Sequence, residues 1–293
     1  MSADSFGATP DPHDTGGGRS ETDHDDAAGP EPDLGDAEIA LTREGPITTL
    51  WLNRPSKRNA VTYSMWLDIA RLCGELAADS TVRMLVVRGS GEHFCAGADI
   101  AGLGDVEMSE YQAANVAADE AIAAFPKPTL AVITGACVGG GTEIAVACDL
   151  RFADTTARFG ITPARLGIVY PASATQRVVQ AIGASATKHL LYSAELIDAE
   201  RALRIGLVEE VHPTGSLDTR VTEFTELLTE QRSLLTQMAS KEIVDAAVAR
   251  DVDPTIMQRW STEVAESADP IEGVVAYLEG RPPEFTWTPT LDK

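Results

Sequence analysis

The chain has 293 residues, of which 44% are hydrophobic, and its 45 Asp and Glu against 23 Lys and Arg give a net charge of −22. That length holds one large domain, or a domain with a helical appendage. The charge argues against nucleic acid and against an anionic membrane as partners, because phosphate surfaces are met by a basic face.

Cys73, Cys95, Cys137 and Cys148 form no C-x-x-C pair and lie in apolar or glycine-rich surroundings, as buried free thiols do in a reducing compartment. No apolar run reaches membrane-spanning length, and the N-terminus lacks the basic and apolar regions of a secretory signal. A cytoplasmic location is expected.

Residues 1–37 are dominated by Gly, Pro, Asp, Ser and Thr. The first 38 residues contain eleven acids and one base, Arg19. Such a segment buries too little apolar area to offset its ordering entropy, so a disordered acidic tail is expected there. From Glu38 the pattern changes. Residues 38–43 and 47–53 read as strands joined by a turn at Glu44-Gly45-Pro46. Residues 62–78 have apolar residues at helical spacing, with Thr62 as N-cap. Strands are expected over 84–90 and 129–134, a helix over 109–124, and another helix over 142–149 directly after three glycines. This alternation predicts an α/β fold, with a mainly helical region from Asp198 onward.

Two motifs could carry chemistry. In HFCAGADI (93–100) small residues follow a buried strand, so a backbone N–H can approach a ligand, and Asp99 is placed to cap the next turn. Taken alone, the motif reads equally as an ordinary strand-to-helix turn. In GACVGGGTEIAVACD (135–149) three glycines lead into a helix whose free N–H groups favour an oxyanion, and Glu143 sits in its first turn. A carboxylate that only complements a helix dipole would suit an exposed helix. This one is apolar (Ile144, Ala145, Val146, Ala147), and a carboxylate buried there needs a reason, of which acid–base work is one. Two N–H groups from two loops could hold one thioester oxygen and stabilise the enolate formed beside it, with Glu143 moving protons.

The segments LNRPSKRNAV (52–61), FCAGADI (94–100), GGGTEIAVACD (139–149), FGITPARLG (159–167), TQRVVQAIG (175–183), AERALRIGLVEEV (199–211) and DPIEGVVAYLEGRPP (269–283) resemble, in order and spacing, successive blocks of the crotonase (enoyl-CoA hydratase/isomerase) superfamily. The resemblance implies an α/β crotonase-like spiral of β-β-α units over 38–212, carrying the CoA site. A helical region over 213–293 would serve oligomerisation and complete the site. It implies an acyl-CoA enzyme with an oxyanion hole made by the N–H groups of Ala98 and Gly140 and with Glu143 as acid/base. Lys57, Arg58 and Ala60 would hold the CoA nucleotide, and Ala96 and Gly97 would line its path. No permanent cofactor is implied, because CoA arrives as part of the substrate, and the five scattered histidines, with no H-x-x-x-H pair, indicate no metal site. A homotrimer, or a hexamer made of two trimers, is implied, with Val274, Val275, Tyr277 and Leu278 as an apolar stripe suited to such packing; an intramolecular core would look the same.

The chain departs from the family pattern at 159–167. Two-acid hydratases carry a second glutamate there, and this chain has Pro163 or Ala164, depending on how the prolines are aligned. Loss of a positioned acid typically costs a factor of about a hundred to ten thousand. Pro163, Ala164 and Tyr170 remain candidates for the acyl pocket. Tyr170 could donate a proton or simply pack, and a phenol with a reference pKa of about 10 is a weak acid for that task. Arg165 could bind a substrate carboxylate or lie exposed, and Asp105 and Glu107 could approach the acyl end or remain on the surface. His93, next to the 94–98 loop, could serve the site or lie as a surface histidine at a strand end. The expected activity is of the hydratase/isomerase type. The alternatives are an isomerase, decarboxylase or thioesterase with little hydratase activity, and a non-catalytic CoA- or RNA-binding relative. A dinucleotide oxidoreductase is excluded because no G-x-G-x-x-G follows a first strand.

Overall fold

The computed structural model describes residues 32–100, 104 and 106–289. Most of the expected tail, and Asp105, lie outside them.

Strands β1 (Ile39–Glu44) and β2 (Ile47–Leu52) form an antiparallel hairpin, as the turn at Gly45 predicts. The strands β3 (Met84–Gly89), β4 (Thr129–Ile133), β6 (Leu150–Asp154) and β9 (Glu210–His212) then extend one sheet in the order β1-β2-β3-β4-β6-β9, each pairing parallel with its neighbour from β2 on. A second sheet has the order β5-β7-β8 and is built from β5 (Ala136–Val138), β7 (Arg158–Gly160) and β8 (Ile197–Asp198). The bridge between Cys95 and Cys137 extends it by one more segment. Each turn of chain thus gives one strand to the large sheet, a short extended piece to the small one, and then a helix. This is the β-β-α spiral expected from the sequence.

The helices of the spiral are α1 (Tyr63–Ala77), α2 (Met108–Ala123), α3 (Gly140–Ala147), the single turn α4 (Pro163–Leu166), α5 (Ala172–Ser193) and α6 (Ala199–Ile205). Helix α1 buries Met65, Trp66, Ile69, Cys73 and Leu76, the stripe its spacing predicts, and Thr62 caps it by accepting the Met65 N–H. At its other end the buried Lys127 ammonium donates to the carbonyls of Leu76, Ala77 and Asp79, where the helix dipole favours a cation. Helix α3 begins at Gly140, ahead of residue 142 where the sequence places it, and α5 is interrupted at Gly183.

The parallel strands are buried on both faces, which explains their unbroken apolar runs. Leu85 and Val87 face the main core under α1, α2 and α3. Met84 and Val86 join Leu130, Val132 and Phe152 in a second core covered by Leu217 and Val221 of α7 (Leu217–Glu230). Helices α8 (Leu234–Ala249), α9 (Pro254–Glu266) and α10 (Asp269–Glu279) follow. On α10, Val274, Tyr277 and Leu278 are exposed in the single chain, so they are not part of an intramolecular core. No helix among the described residues is long and apolar enough to cross a membrane.

Candidate active site

The site lies beyond the C-terminal ends of the adjacent parallel strands β2, β3 and β4, where open α/β sheets leave room for a ligand. The loops leaving these strands are tied together by a buried side chain. Asn59, 0% exposed, accepts the Arg54 N–H at 2.8 Å and donates to the carbonyls of Ser90 (2.9 Å) and His93 (2.6 Å). Backbone bonds continue the join: Ala96 N–H to the Arg58 carbonyl, Val61 N–H to Gly97, and Asp99 N–H to Val61. The Arg54 guanidinium reaches Glu38, Asp99 and the Ala60 carbonyl. Asp99, expected to cap a turn, thus ion-pairs with Arg54. His93 is half-buried instead of on the surface, and its Nδ1 accepts the Ala136 N–H at 3.2 Å. This ring therefore fastens the 93–98 loop to β5.

The net delivers two backbone amides to one place. Gly97 has φ +110, a conformation side chains rarely adopt, and a Cβ there would sit 2.9 Å from the Val138 carbonyl. The loop can therefore press against the chain entering α3. A Cβ at Gly140 would lie 3.3 Å from Ala98 N, so the two motifs meet backbone to backbone. Gly140 opens α3, and the first N–H groups of a helix have no intrahelical acceptor. Among the described residues, Ala98 N–H has none either.

Glu143 stands in the first turn of α3, whose residues are all buried. It is 6% exposed, and burial pushes its carboxyl up to about 7, against the opposing effect of a 2.7 Å hydrogen bond from Asn115 Nδ2 to Oε2. Asn115 comes from α2. One turn further on that helix is Asp119, fully buried, and beyond it the Arg177 guanidinium of α5 at 3.9 Å. The Tyr170 hydroxyl donates to the Gly139 carbonyl at 3.0 Å, and burial holds this phenol well above its ordinary pKa. Tyr170 therefore packs and fixes the glycine turn; its proton is committed.

The other candidates divide. Lys57 and Arg58 are exposed on the single turn Pro55–Lys57 and its left-handed cap, while Ala60 and Ala96 are half-buried beside them. Pro163 is buried, whereas Ala164 and Arg165 are exposed on α4, which carries no acid. Glu107 is exposed at the start of α2. Burial pushes the thiols of Cys73 and Cys95 up to about 12, so they are inert. Sequence reasoning did not single out Arg54, Asn59, Asn115, Asp119 or Arg177. A signal existed for two of them, since Asn115 and Asp119 interrupt the apolar stripe Tyr111, Ala114, Ala118, Ile122 of α2.

Residues 42–288 match the family model for enoyl-CoA hydratase/isomerase, so the chain belongs to that family and, with it, to the crotonase superfamily. It is 33% identical to a crotonyl-CoA hydratase from Syntrophomonas wolfei over 257 residues, covering 84% of this chain and 97% of that one. It is 29% identical to the 2,3-dehydroadipyl-CoA hydratase of Escherichia coli, covering 85% and 98%. Among solved structures, an enoyl-CoA hydratase/isomerase family member superposes with TM-score 0.80 at 32% identity, over 86% of this chain and 99% of that one. An enoyl-CoA hydratase from Bacillus anthracis gives 0.79 at 27% identity, over 85% and 99%.

Proposed function

We propose that the chain converts 2-enoyl-CoA thioesters, adding water across the double bond beside the thioester. The observation that carries this reading is the meeting of two amides, Ala98 and Gly140, that have no acceptor among the described residues, at the start of the helix that holds Glu143. A thioester oxygen bound by both N–H groups gains negative charge as the enolate forms. Preorganised donors in a dry site stabilise that charge far more than water does, and one such donor is commonly worth about 10²–10³ in rate. The positive end of α3 adds to this. With its carboxyl near 7, Glu143 is poised to accept a proton from water and to return one to the α-carbon. The hydratase relatives support this reaction.

Lys57 and Arg58, exposed at the rim, suit the CoA phosphates, with the backbone of Ala60, Ala96 and Gly97 along the path toward the thioester. Pro163, Ala164 and Tyr170 would bound the acyl end. No resident cofactor enters the scheme. Double-bond migration is the second reading. It needs one carboxylate to carry a proton between two carbons, and the acid-free α4 favours it. The assembly would be a trimer, or two trimers paired. The exposed stripe on α10 supports this, as does an apolar cleft of about 1380 Å³ lined by Val146, Phe224, Val244 and Tyr277 among others, a lining that does not include Glu143. Cytoplasmic residence fits a CoA-dependent chain with buried thiols.

Incubation with 2-enoyl- and 3-enoyl-CoA esters separates the readings. A hydroxyacyl-CoA product that disappears in Glu143→Gln supports hydration. A shifted alkene without added water supports migration. Turnover of neither ester, with CoA esters still binding, sinks both.

A further inference from the structure

Helix α2 buries a polar pair where its pattern calls for apolar side chains. Asn115 and Asp119 are four residues apart, so they share one face. Asn115 is engaged with Glu143 Oε2. Asp119 is 0% exposed, and among the described residues neither of its carboxylate oxygens has a hydrogen-bond partner. The cation near it, Arg177 Nη1, is 3.9 Å from Oδ2, which is too long for a hydrogen bond, and among the described residues Nη1 also lacks a hydrogen-bond partner. The other end of that guanidinium is held by Glu120 at 2.6 Å. Buried polar groups in native proteins are nearly all satisfied, and each exception calls for an explanation, of which a role in the site's chemistry is one.

We propose that Asp119 is the second acid of this site, a carboxyl partner of Glu143 supplied by α2 in place of the glutamate absent from α4. It acts through Glu143 as a positioning residue. The charges that act on it are Glu143 from α3, Arg177 from α5 and Glu120 from α2 itself, and the buried, neutral phenol of Tyr170 feels both carboxyls as well. Burial and the Glu143 charge both raise the Asp119 carboxyl well above its usual range, with Arg177 opposing. Like charges in one buried cluster disfavour ionising both carboxyls, and in this proposal the pair keeps one proton between them. In hydration, which rests on the function proposed above, water gives a proton to ionised Glu143 while its oxygen bonds to the β-carbon and the enolate forms on the thioester oxygen. The pair then holds two protons and returns one to the α-carbon, so that one water is added and the site is restored.

The pair itself is tested without substrate. Infrared difference titration of the full chain should show a protonated carboxyl band persisting well above the ordinary range for Asp. Asp119→Asn should abolish that band, and Glu143→Gln should move its titration to lower pH by removing a like charge. A band absent from the wild type, unaffected by Asp119→Asn, or insensitive to Glu143→Gln overturns the proposal. Its use is read from the pH profile of turnover. Asp119→Asn should lose the alkaline limb and lower kcat about tenfold or more with little change in KM. A profile that superimposes on the wild type after scaling overturns the proposal even if the band is present. If no enoyl-CoA ester is turned over, the function proposed above fails while the infrared result still decides whether the carboxyls are paired.

Discussion

Replacing Glu143 by Gln keeps the shape of the side chain and removes a proton-binding group from a buried helix, so its effect on stability should depend on pH. The carboxyl rises on folding from 4.5 to about 7, mainly because burial penalises the charge. Below pH ~4.5 the group is protonated in both states and costs nothing. As pH rises the unfolded chain releases this proton while the folded chain keeps it, so the wild type loses stability until about pH 7, where the folded form ionises as well. At about 1.4 kcal/mol per unit the loss approaches ~3 kcal/mol. Glu143→Gln should therefore match the wild type near pH 4.5 and exceed it above pH 7 by up to ~3 kcal/mol, or roughly 5–10 °C in Tm. Urea unfolding of both proteins at fixed concentration across this range measures the difference. A gap that stays constant with pH, or widens toward acid, would refute the argument that desolvation sets the Glu143 carboxyl.

Ala98→Pro removes one of the two facing N–H groups and should lower kcat by about 10²–10³ while calorimetry still detects binding of CoA esters. Tyr170→Phe frees the Gly139 carbonyl and should cost ~1 kcal/mol in urea unfolding, with kcat falling more than KM rises. The double change Lys57→Ala, Arg58→Ala should raise KM for the CoA ester several-fold without changing kcat, and the effect should shrink at high salt, because exposed charges are screened beyond about 8–10 Å.

How much the sequence revealed depended on the range of the interaction concerned. Thr62 and the stripe of α1 are local features, and the helix appears where they place it. The parallel strands were legible because burial on both faces leaves an apolar run. Strand β9 was not, since three residues carry no periodicity and only pairing with β6 makes Glu210–His212 a strand. The two glycine-bearing loops announced close backbone approach, but that they approach each other is a tertiary fact. Asn59 and His93 reveal their work only when their partners, Ser90 and Ala136, are in place. Neither reading of His93 foresaw that its ring would serve as an acceptor between two loops. That α4 carries no acid was visible in one line of sequence. The carboxyl of Asp119 was hidden because it arrives from a different helix, more than twenty positions before Glu143.

The most direct test of the proposed site is a crystal structure of the protein with a bound acyl-CoA thioester. The thioester oxygen should lie about 3 Å from both Ala98 N and Gly140 N, with the Glu143 carboxylate facing the α- and β-carbons. A thioester oxygen held by other donors, or an acyl chain threaded away from Glu143, would contradict the account.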